Sequence, residues 1–314
     1  MNTTFLLSGG AGRIICAVPA LEKYHKLNPN DDFKVLVPAW DMLFWSNPIL
    51  QDRTFEANQK GNFDLHVKNN QLISPEPYFH FKFYTQQIHL TESFDELINN
   101  TEDHSDLKHS NYLYLTELEK THAKKNINYY KTFKQKNKVI VFQPFGSSVE
   151  VVEENLIDQT NRSLSRKSYF EIVKKLSQHA AIVYMGPQQF RSQEDDISIY
   201  LNDDPYYIRN MIATISECDY FVGIDSLGQH IAKSFNVPGL VLMGGTDERN
   251  ISYPNHFKIY RKRDVIPNYI PMRISDTDSN YANRINDGAM DLSENEINNI
   301  CKTIVADLNR GKNG

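Results

Sequence analysis

The sequence predicts an α/β protein made of two doubly wound parallel-sheet domains. Three observations lead there. Short apolar runs of strand length alternate with amphipathic stretches of helix length, the pattern of a parallel sheet wound with helices. The alternation starts twice, at the N-terminus and again near residue 138. The chain of 314 residues exceeds what one core usually serves, and 40% hydrophobic residues are enough for two.

The first half opens as a βαβ unit. Thr4 to Ser8 is a short apolar run, Gly9-Gly10-Ala11-Gly12 a turn, Ile14 to His25 an apolar-periodic helix and Phe33 to Pro38 a second strand. Between Pro75 and Lys136 the pattern weakens into aromatic and His-containing helices and loops. The second half alternates strands at Lys138–Phe142, Ala181–Met185, Tyr220–Ile224 and Gly239–Met243 with helices at Lys167–Gln178, Tyr206–Glu217 and Gly228–Phe235. The join is expected near Lys134 to Lys138, giving domains 1–136 and 137–314. A capping box, Ser293 with Glu296, starts a last amphipathic helix carrying Ile297, Ile300, Ile304 and Leu308, which is able to return to the first domain.

A net charge of −5 and a pI near 6.1 argue against a protein that coats nucleic acid with its whole surface. Cys16, Cys218 and Cys301 lie far apart without metal-ligand spacing and read as small apolar residues in a reducing compartment. No apolar run approaches the roughly 20 residues that span a bilayer, and no basic segment precedes the first apolar run. A cytoplasmic protein is expected, and the richness in Asn, Lys, Ile and Tyr points to a phage-infected or low-GC bacterial cell.

The chemistry concentrates where strands end. Asp225 and Ser226 close an apolar strand and are placed to cap the following helix, whose N-terminus offers N–H groups and a positive dipole end to an anion. Leu227 and Gly228 complete the turn, and His230, in the first turn of the helix, is able to add a hydrogen bond or simply to pack. Gly146 and Ser147 follow one strand, and Arg162-Ser163 precede a helix; an arginine fork with small polar neighbours suits a diphosphate. Gly186 with Gln188, and Gly245 with Thr246, mark two further strand ends. The first loop, with Gly10, Gly12 and Arg13, lacks the third glycine and the ribose-binding acid of a dinucleotide site and the Lys-Ser/Thr of a P-loop, leaving a phosphate or acceptor loop or a plain tight turn. Asp276-Thr277-Asp278 does not end a strand and reads as a solvated loop; no metal site is expected.

These motifs resemble the heptosyltransferases, glycosyltransferase family 9, of the GT-B fold. The family's Asp-Ser/Thr-Gly-x-x-His-hydrophobic-Ala motif is matched by Asp225, Ser226, His230, Ile231 and Ala232, with Leu227-Gly228 in place of the usual Gly-x. Its Lys-x-Trp-Pro is similar to Arg162-Ser163-Leu164-Ser165, followed by Tyr169-Phe170. Val237 to Thr246 resembles the strand that ends in a glycine-threonine turn, and Gly12-Arg13-Ile14-Ile15 with Pro19, Leu21 and Pro29 the opening loop and helix. The likeness covers most of residues 137 to 310 and about the first 40. It implies two Rossmann-like domains facing across a cleft, an acceptor-side N-terminal domain and a nucleotide-sugar-binding C-terminal one. It further implies metal-independent transfer, with inversion, from a nucleotide-diphosphate sugar as co-substrate, without any cofactor. The donor would then lie on Gly146, Ser147, Arg162, Ser163, Gly186, Gln188, the Asp225-to-His230 turn, Gly245 and Thr246.

Two departures stand out. The family's loop Asp, its catalytic base, is Arg13 here, and a guanidinium does not take a proton from a hydroxyl. Asp41, Glu76, His80 and His89 are the replacements on offer, Asp41 first because it follows the second strand. The acidic residue after the third donor-domain strand is replaced around Gln188 and Gln189. The family's usual acceptor is lipopolysaccharide or another glycan. The Lys120-to-Lys138 segment, free of Asp and Glu, raises an alternative: Lys124, Lys125 and Lys131 interleaved with Tyr129 and Tyr130 suit a nucleic-acid strand, as a phage enzyme glycosylating 5-hydroxymethylcytosine in DNA would need, or form a solvated helix. A non-catalytic nucleotide-sugar binder and a sugar-nucleotide epimerase are the readings from other classes.

Overall fold

The computed structural model describes residues 2–146, 149–152, 155–158, 160–186, 197–200, 207–264, 288 and 290–310. The chain forms two compact units, Met1–Thr116 and Glu117–Gly314.

The first unit contains a four-stranded parallel sheet. Its strands are β1 (Thr3–Leu6), β2 (Lys34–Val37), β3 (Thr54–Glu56) and β4 (Gln71–Ile73), in the order β3-β2-β1-β4. Helix α1 (Ala11–Leu27) connects β1 to β2 and buries Ile14, Ile15, Val18 and Leu21 almost completely. After the short helices α2 (Asn62–His66) and α3 (Phe81–Tyr84), α4 (Leu90–Asn99) packs on α1. Inside this contact Lys23 Nζ meets Asp95 Oδ2 at 2.9 Å, and His104 Nδ1 lies 2.8 Å from the same oxygen. β1, α1 and β2 are the elements expected from the sequence. β3 and β4 are three residues long, with half-buried or exposed residues, and give no alternation to read.

The second unit holds a six-stranded parallel sheet in the order β12-β11-β10-β5-β8-β9. The strands are β5 (Val139–Gln143), β8 (Ala181–Gly186), β9 (Ile197–Tyr200), β10 (Tyr220–Ile224), β11 (Gly239–Met243) and β12 (Lys258–Arg261); β6 (Val149–Val152) and β7 (Asn155–Asp158) form a separate antiparallel hairpin. β5, β8, β10 and β11 are buried along their whole length, which is why they read as continuous apolar runs. The helices are α5 (Glu117–Phe133), α6 (Arg166–Leu176), α7 (Tyr207–Glu217), α8 (Leu227–Ser234), α9 (Glu248–Ile251) and α10 (Glu294–Arg310).

One expectation about the division of the chain gives way. The units meet at Thr116–Glu117 and not near Lys134–Lys138, because α5 is bound to the second unit. Arg209 on α7, 3% exposed, donates to both carboxylate oxygens of Glu119 at 2.7 and 2.9 Å, and Lys131 pairs with Asp219 at 2.8 Å. The last helix lies in the second unit, where Ile297, Ile300, Cys301, Ile304 and Leu308 join Phe142, Tyr169 and Val222 in one core and α10 packs on α6. Among the described residues no helix is long and apolar enough to cross a membrane.

Candidate functional site

A parallel sheet ends all its strands on one edge, and the strand order of the second unit decides what stands there. Along the carboxyl edge follow Gly245 and Thr246 after β11, Asp225 and Ser226 after β10, Gln143 to Gly146 at the end of β5, and Gly186 at the end of β8. The segment 160–164 crosses this edge. The Leu164 N–H donates to Pro144 O at 3.0 Å and the Gly146 N–H to Ser163 Oγ at 2.9 Å, while the Gly245 N–H donates to Asn161 O at 2.9 Å. A Cβ on Gly244 would lie 2.3 Å from that Asn161 oxygen, so the approach needs glycine.

Stitched down at both sides, the segment brings Arg162 to Asp225. The guanidinium Nη1 lies 3.5 Å from Asp225 O and 4.0 Å from Asp225 Oδ2, and Nε donates to Thr160 Oγ1 at 2.9 Å. Asp225 is buried and accepts from Thr246 Oγ1 at 2.8 Å and Gln229 Nε2 at 3.2 Å. The Arg162 side chain is 19% exposed against 4% for Asp225, so the cation is the charge nearer solvent. Asp158 anchors the base of the segment through the Ser163 N–H at 2.9 Å, the Thr160 N–H at 2.8 Å and both hydroxyls. Burial opposes ionisation of Asp158, but the Ser163 and Thr160 hydrogen bonds and the Arg162 charge outweigh it and hold its carboxyl below the ordinary aspartate range.

The cap of α8 differs from the expected one. Ser226 occupies the N-cap position, but its side chain makes no capping bond. The Gly228 N–H donates instead to Gln143 Oε1 at 2.8 Å, and Gln143 Nε2 donates to Ser226 Oγ at 3.1 Å. A Cβ at Gly228 would sit 2.6 Å from that Oε1 and 2.7 Å from the Phe221 ring, which explains the glycine after Leu227. His230 is 3% exposed with Nδ1 2.8 Å from the Tyr253 hydroxyl, so it is packed against its neighbour and tied to it. Ser147, Gln188 and the Asp276-Thr277-Asp278 string lie outside the described residues. Among the described residues no group of His, Cys, Asp and Glu is arranged to hold a metal ion.

In the first unit the Gly10 carbonyl accepts from the N–H groups of Arg13 and Ile14 and starts α1, with Gly12 in its first turn. The Arg13 guanidinium is 8% exposed. Its Nη2 donates to Glu76 Oε2 at 2.9 Å and to Pro75 O at 3.4 Å, and its carbon lies 4.9 Å from the centre of the Tyr78 ring. Asp41 opens a 3-10 turn, Asp41–Phe44, beyond β2 and is half-buried. His80 Nε2 is 3.2 Å from Glu96, and His89 Nδ1 accepts the Thr91 N–H as the N-cap of α4. On α5, Lys124, Lys125 and Tyr129 are exposed and Tyr129 stacks on Phe133, while Tyr130 is half-buried and Lys131 is paired with Asp219.

Gln143, Asp158, Thr160 and Gln229 complete the cluster and are not singled out by the sequence reading. One signal for Gln143 was there: it is the polar end of the apolar run Val139-Ile140-Val141-Phe142.

No protein-family model matches the chain, and no curated protein matches it in sequence. Solved structures do. A family 9 glycosyl transferase from Veillonella parvula superposes with a TM-score of 0.64 at 13% identity, over 98% of each chain. The chain has the GT-B fold. The E. coli ADP-heptose lps heptosyltransferase II gives a TM-score of 0.60 at 13% identity over 97% of this GT-B chain and 99% of that one. E. coli heptosyltransferase WaaC with ADP-2-deoxy-2-fluoro heptose gives 0.53 at 11% identity over 83% and 93%. At such identities the common property is the fold, and function has to be argued from the site.

Proposed function

We propose that this chain is a glycosyltransferase that moves a sugar from a nucleotide-diphosphate sugar to a hydroxyl of a glycan acceptor, with inversion. The observation that carries the reading is the meeting of Arg162 with the Asp225–Ser226 turn on the carboxyl edge of the six-stranded sheet. Inverting transfer needs positive charge where the diphosphate leaves and a base at the acceptor. Arg162, as a fixed cation with a forked donor, and the positive end of α8 meet the first need, in the role a divalent metal plays elsewhere. Gly146, Ser163, Gly186, Gly245 and Thr246, at the neighbouring strand ends, are assigned to the nucleotide. Asp225 acts as the anchor that aligns Arg162, Thr246 and Gln229, and His230 steadies the α8 turn through Tyr253. The relatives in fold that carry ADP, ADP-2-deoxy-2-fluoro heptose or ADP-D-beta-D-heptose make ADP-sugars the first donors to try. Lipopolysaccharide-type glycans are the matching acceptors, met where nucleotide sugars are made, in the cytoplasm. On the segment weighed for a DNA acceptor, Lys131 and Lys138 share the single carboxylate of Asp219 while Lys124 and Lys125 are exposed, and the glycan acceptor is the preferred reading.

The test is calorimetric titration of the full-length protein with ADP, UDP and GDP, followed by donor turnover. Binding of one nucleoside diphosphate is expected, weakened about tenfold or more in Arg162→Ala, the worth of one charge-assisted hydrogen bond. Equal affinity in wild type and variant, or no binding at all, refutes the reading.

A further inference from the structure

We infer that the outward face of α5 is a docking surface for an anionic lipid bilayer, a role separate from the sugar chemistry. α5 packs on α7 with Ala123 and Ile127 buried. Its opposite side carries Leu118, His122, Lys125, Tyr129 and Phe133, spaced at i, i+4, i+7, i+11 and i+15, which is one stripe of a helix about 22 Å long. All five are exposed, Leu118 by 65%, Tyr129 by 59% and Phe133 by 52%, so three large apolar side chains stand in solvent along one line. Lysine surrounds them. Between residues 120 and 138 the chain has seven lysines and no Asp or Glu, in a protein of net charge −5. The carboxylates of α5 stand in its first turn, Glu117 on Lys120 and Glu119 on Arg209. Lys124 and Lys125 are exposed, and Lys131 and Lys138 crowd onto the one carboxylate of Asp219, so the segment keeps a positive excess.

Rings and aliphatic side chains flanked by lysines, on the convex face of a surface helix, suit the boundary of a bilayer. The apolar groups enter among the acyl chains, and the ammonium groups stay with the phosphates on their flexible stems. Each lysine near an anionic surface adds about fivefold to the affinity. A nucleic-acid strand fits less well. Bases stack on open ring faces, and Phe133 already has the Tyr129 ring stacked on it at 5.7 Å, with Lys134 Nζ 5.9 Å from its centre. A second copy fits worse, because Lys125 stands midway along the stripe and a two-fold pairing of the whole stripe sets it against its own counterpart. The exposed apolar groups of the first unit are electrically balanced instead. Asp64, between Phe63 and Leu65, pairs with Lys68 at 3.6 Å, and Lys82, next to Phe81, is held by Glu96 and Glu102 at 3.0 and 2.8 Å.

The experiment sediments the full-length protein with vesicles of phosphatidylcholine alone and of phosphatidylcholine with about 30% phosphatidylglycerol, at low and at physiological salt. Wild type is expected to bind the anionic vesicles about tenfold or more tighter than the neutral ones, and less tightly as salt rises. Lys124→Glu with Lys125→Glu, and Tyr129→Ser with Phe133→Ser, should each lose about tenfold or more, while Lys302→Glu, exposed on α10, stays within about threefold of wild type. Tyr129→Trp keeps the ring, and its emission, taken as the difference from wild type, should shift to the blue on the anionic vesicles alone. Wild type that ignores anionic vesicles, or binding held within about threefold by both double variants, overturns the inference. So does binding of a labelled single-stranded oligonucleotide in place of the vesicles, or a wild-type dimer that Tyr129→Ser with Phe133→Ser splits. None of these outcomes touches nucleoside diphosphate binding, so the bilayer inference and the glycosyltransferase reading fail separately.

Discussion

Gln143 Oε1 accepts the Gly228 N–H at 2.8 Å, so α8 is capped from the neighbouring strand and not by its own Ser226. The same amide donates to Ser226 Oγ at 3.1 Å, which fixes the turn between β10 and α8 to the end of β5. In the proposed role of this turn as a diphosphate site it has to stay in place when the anion leaves, and this amide is what holds it.

Replacing Gln143 by Leu removes both bonds and leaves the Gly228 N–H without its acceptor in a buried place. The expected loss is about 1–3 kcal/mol of stability, measured by urea unfolding. Gly228→Ala puts a methyl 2.6 Å from Gln143 Oε1 and 2.7 Å from the Phe221 ring, and is expected to cost a similar amount by overpacking. In both variants nucleoside diphosphate affinity falls. A Gly228→Ala protein with wild-type stability and affinity would show that the turn has slack.

Asp158 is predicted to control Arg162 from a distance. It holds the N–H groups and hydroxyls of Thr160 and Ser163, and Thr160 Oγ1 in turn accepts from Arg162 Nε at 2.9 Å. Asp158→Asn cannot accept from all of these donors with both atoms. The expected outcome is about tenfold weaker nucleoside diphosphate binding, close to the worth of one hydrogen bond to a charged group. Calorimetry on the variant decides it, with thermal melting to separate a loosened segment from an unfolded one.

Much of the second unit was legible because its central strands are buried on both faces: Tyr220–Ile224 and Gly239–Met243 have the bounds that their apolar runs imply. The residues that meet at the sheet edge were legible for the same reason, since strand ends can be read wherever strands can. What binds them together was not. Gln143 and Gly228 are 85 positions apart, and Arg162 and Asp225 are 63 apart; such pairs follow from strand order, which local periodicity does not carry. Glu76 was one of several carboxylates and histidines in a stretch of weak pattern. Only the pairing of β4 with β1 brings it to Arg13.

The position of α5 gives a prediction about folding units. A fragment that begins at residue 137, where the sequence alone puts the join, lacks Glu119 and leaves Arg209 buried without that partner; it also removes Lys131 from Asp219. Loss of Glu119 from this partly buried pair is expected to cost about 1–3 kcal/mol. The fragment 137–314 is expected to be markedly less stable than 117–314 in urea unfolding, and Glu119→Ala in the full chain should reproduce much of the difference. Equal stability of the two fragments would return α5 to the first unit.

Glu296 should make the second unit acid-sensitive. The capping box read from the sequence is present, with the Ser293 N–H and hydroxyl donating to Glu296 Oε2 at 2.6 and 2.7 Å. The fold adds what the sequence could not show: Tyr260 OH and Lys262 Nζ, from the segment starting at β12, reach Oε1 at 2.6 and 2.7 Å. Burial works against the charge on Glu296, but the bonds from Lys262, Ser293 and Tyr260 prevail and bring its carboxyl down to about 2 from an ordinary 4.5. The unfolded chain therefore takes up this proton first as the pH falls. The stability that Glu296 contributes is complete above pH 4.5 and is lost between there and about pH 2. Glu296→Gln, which leaves the 9%-exposed Lys262 without its charge partner, should melt below wild type at neutral pH, with the gap narrowing as the pH falls through this window. Melting curves at several pH values check it, and a gap that stays constant down to pH 2 would mean that the four bonds act on Glu296 equally in its charged and neutral forms.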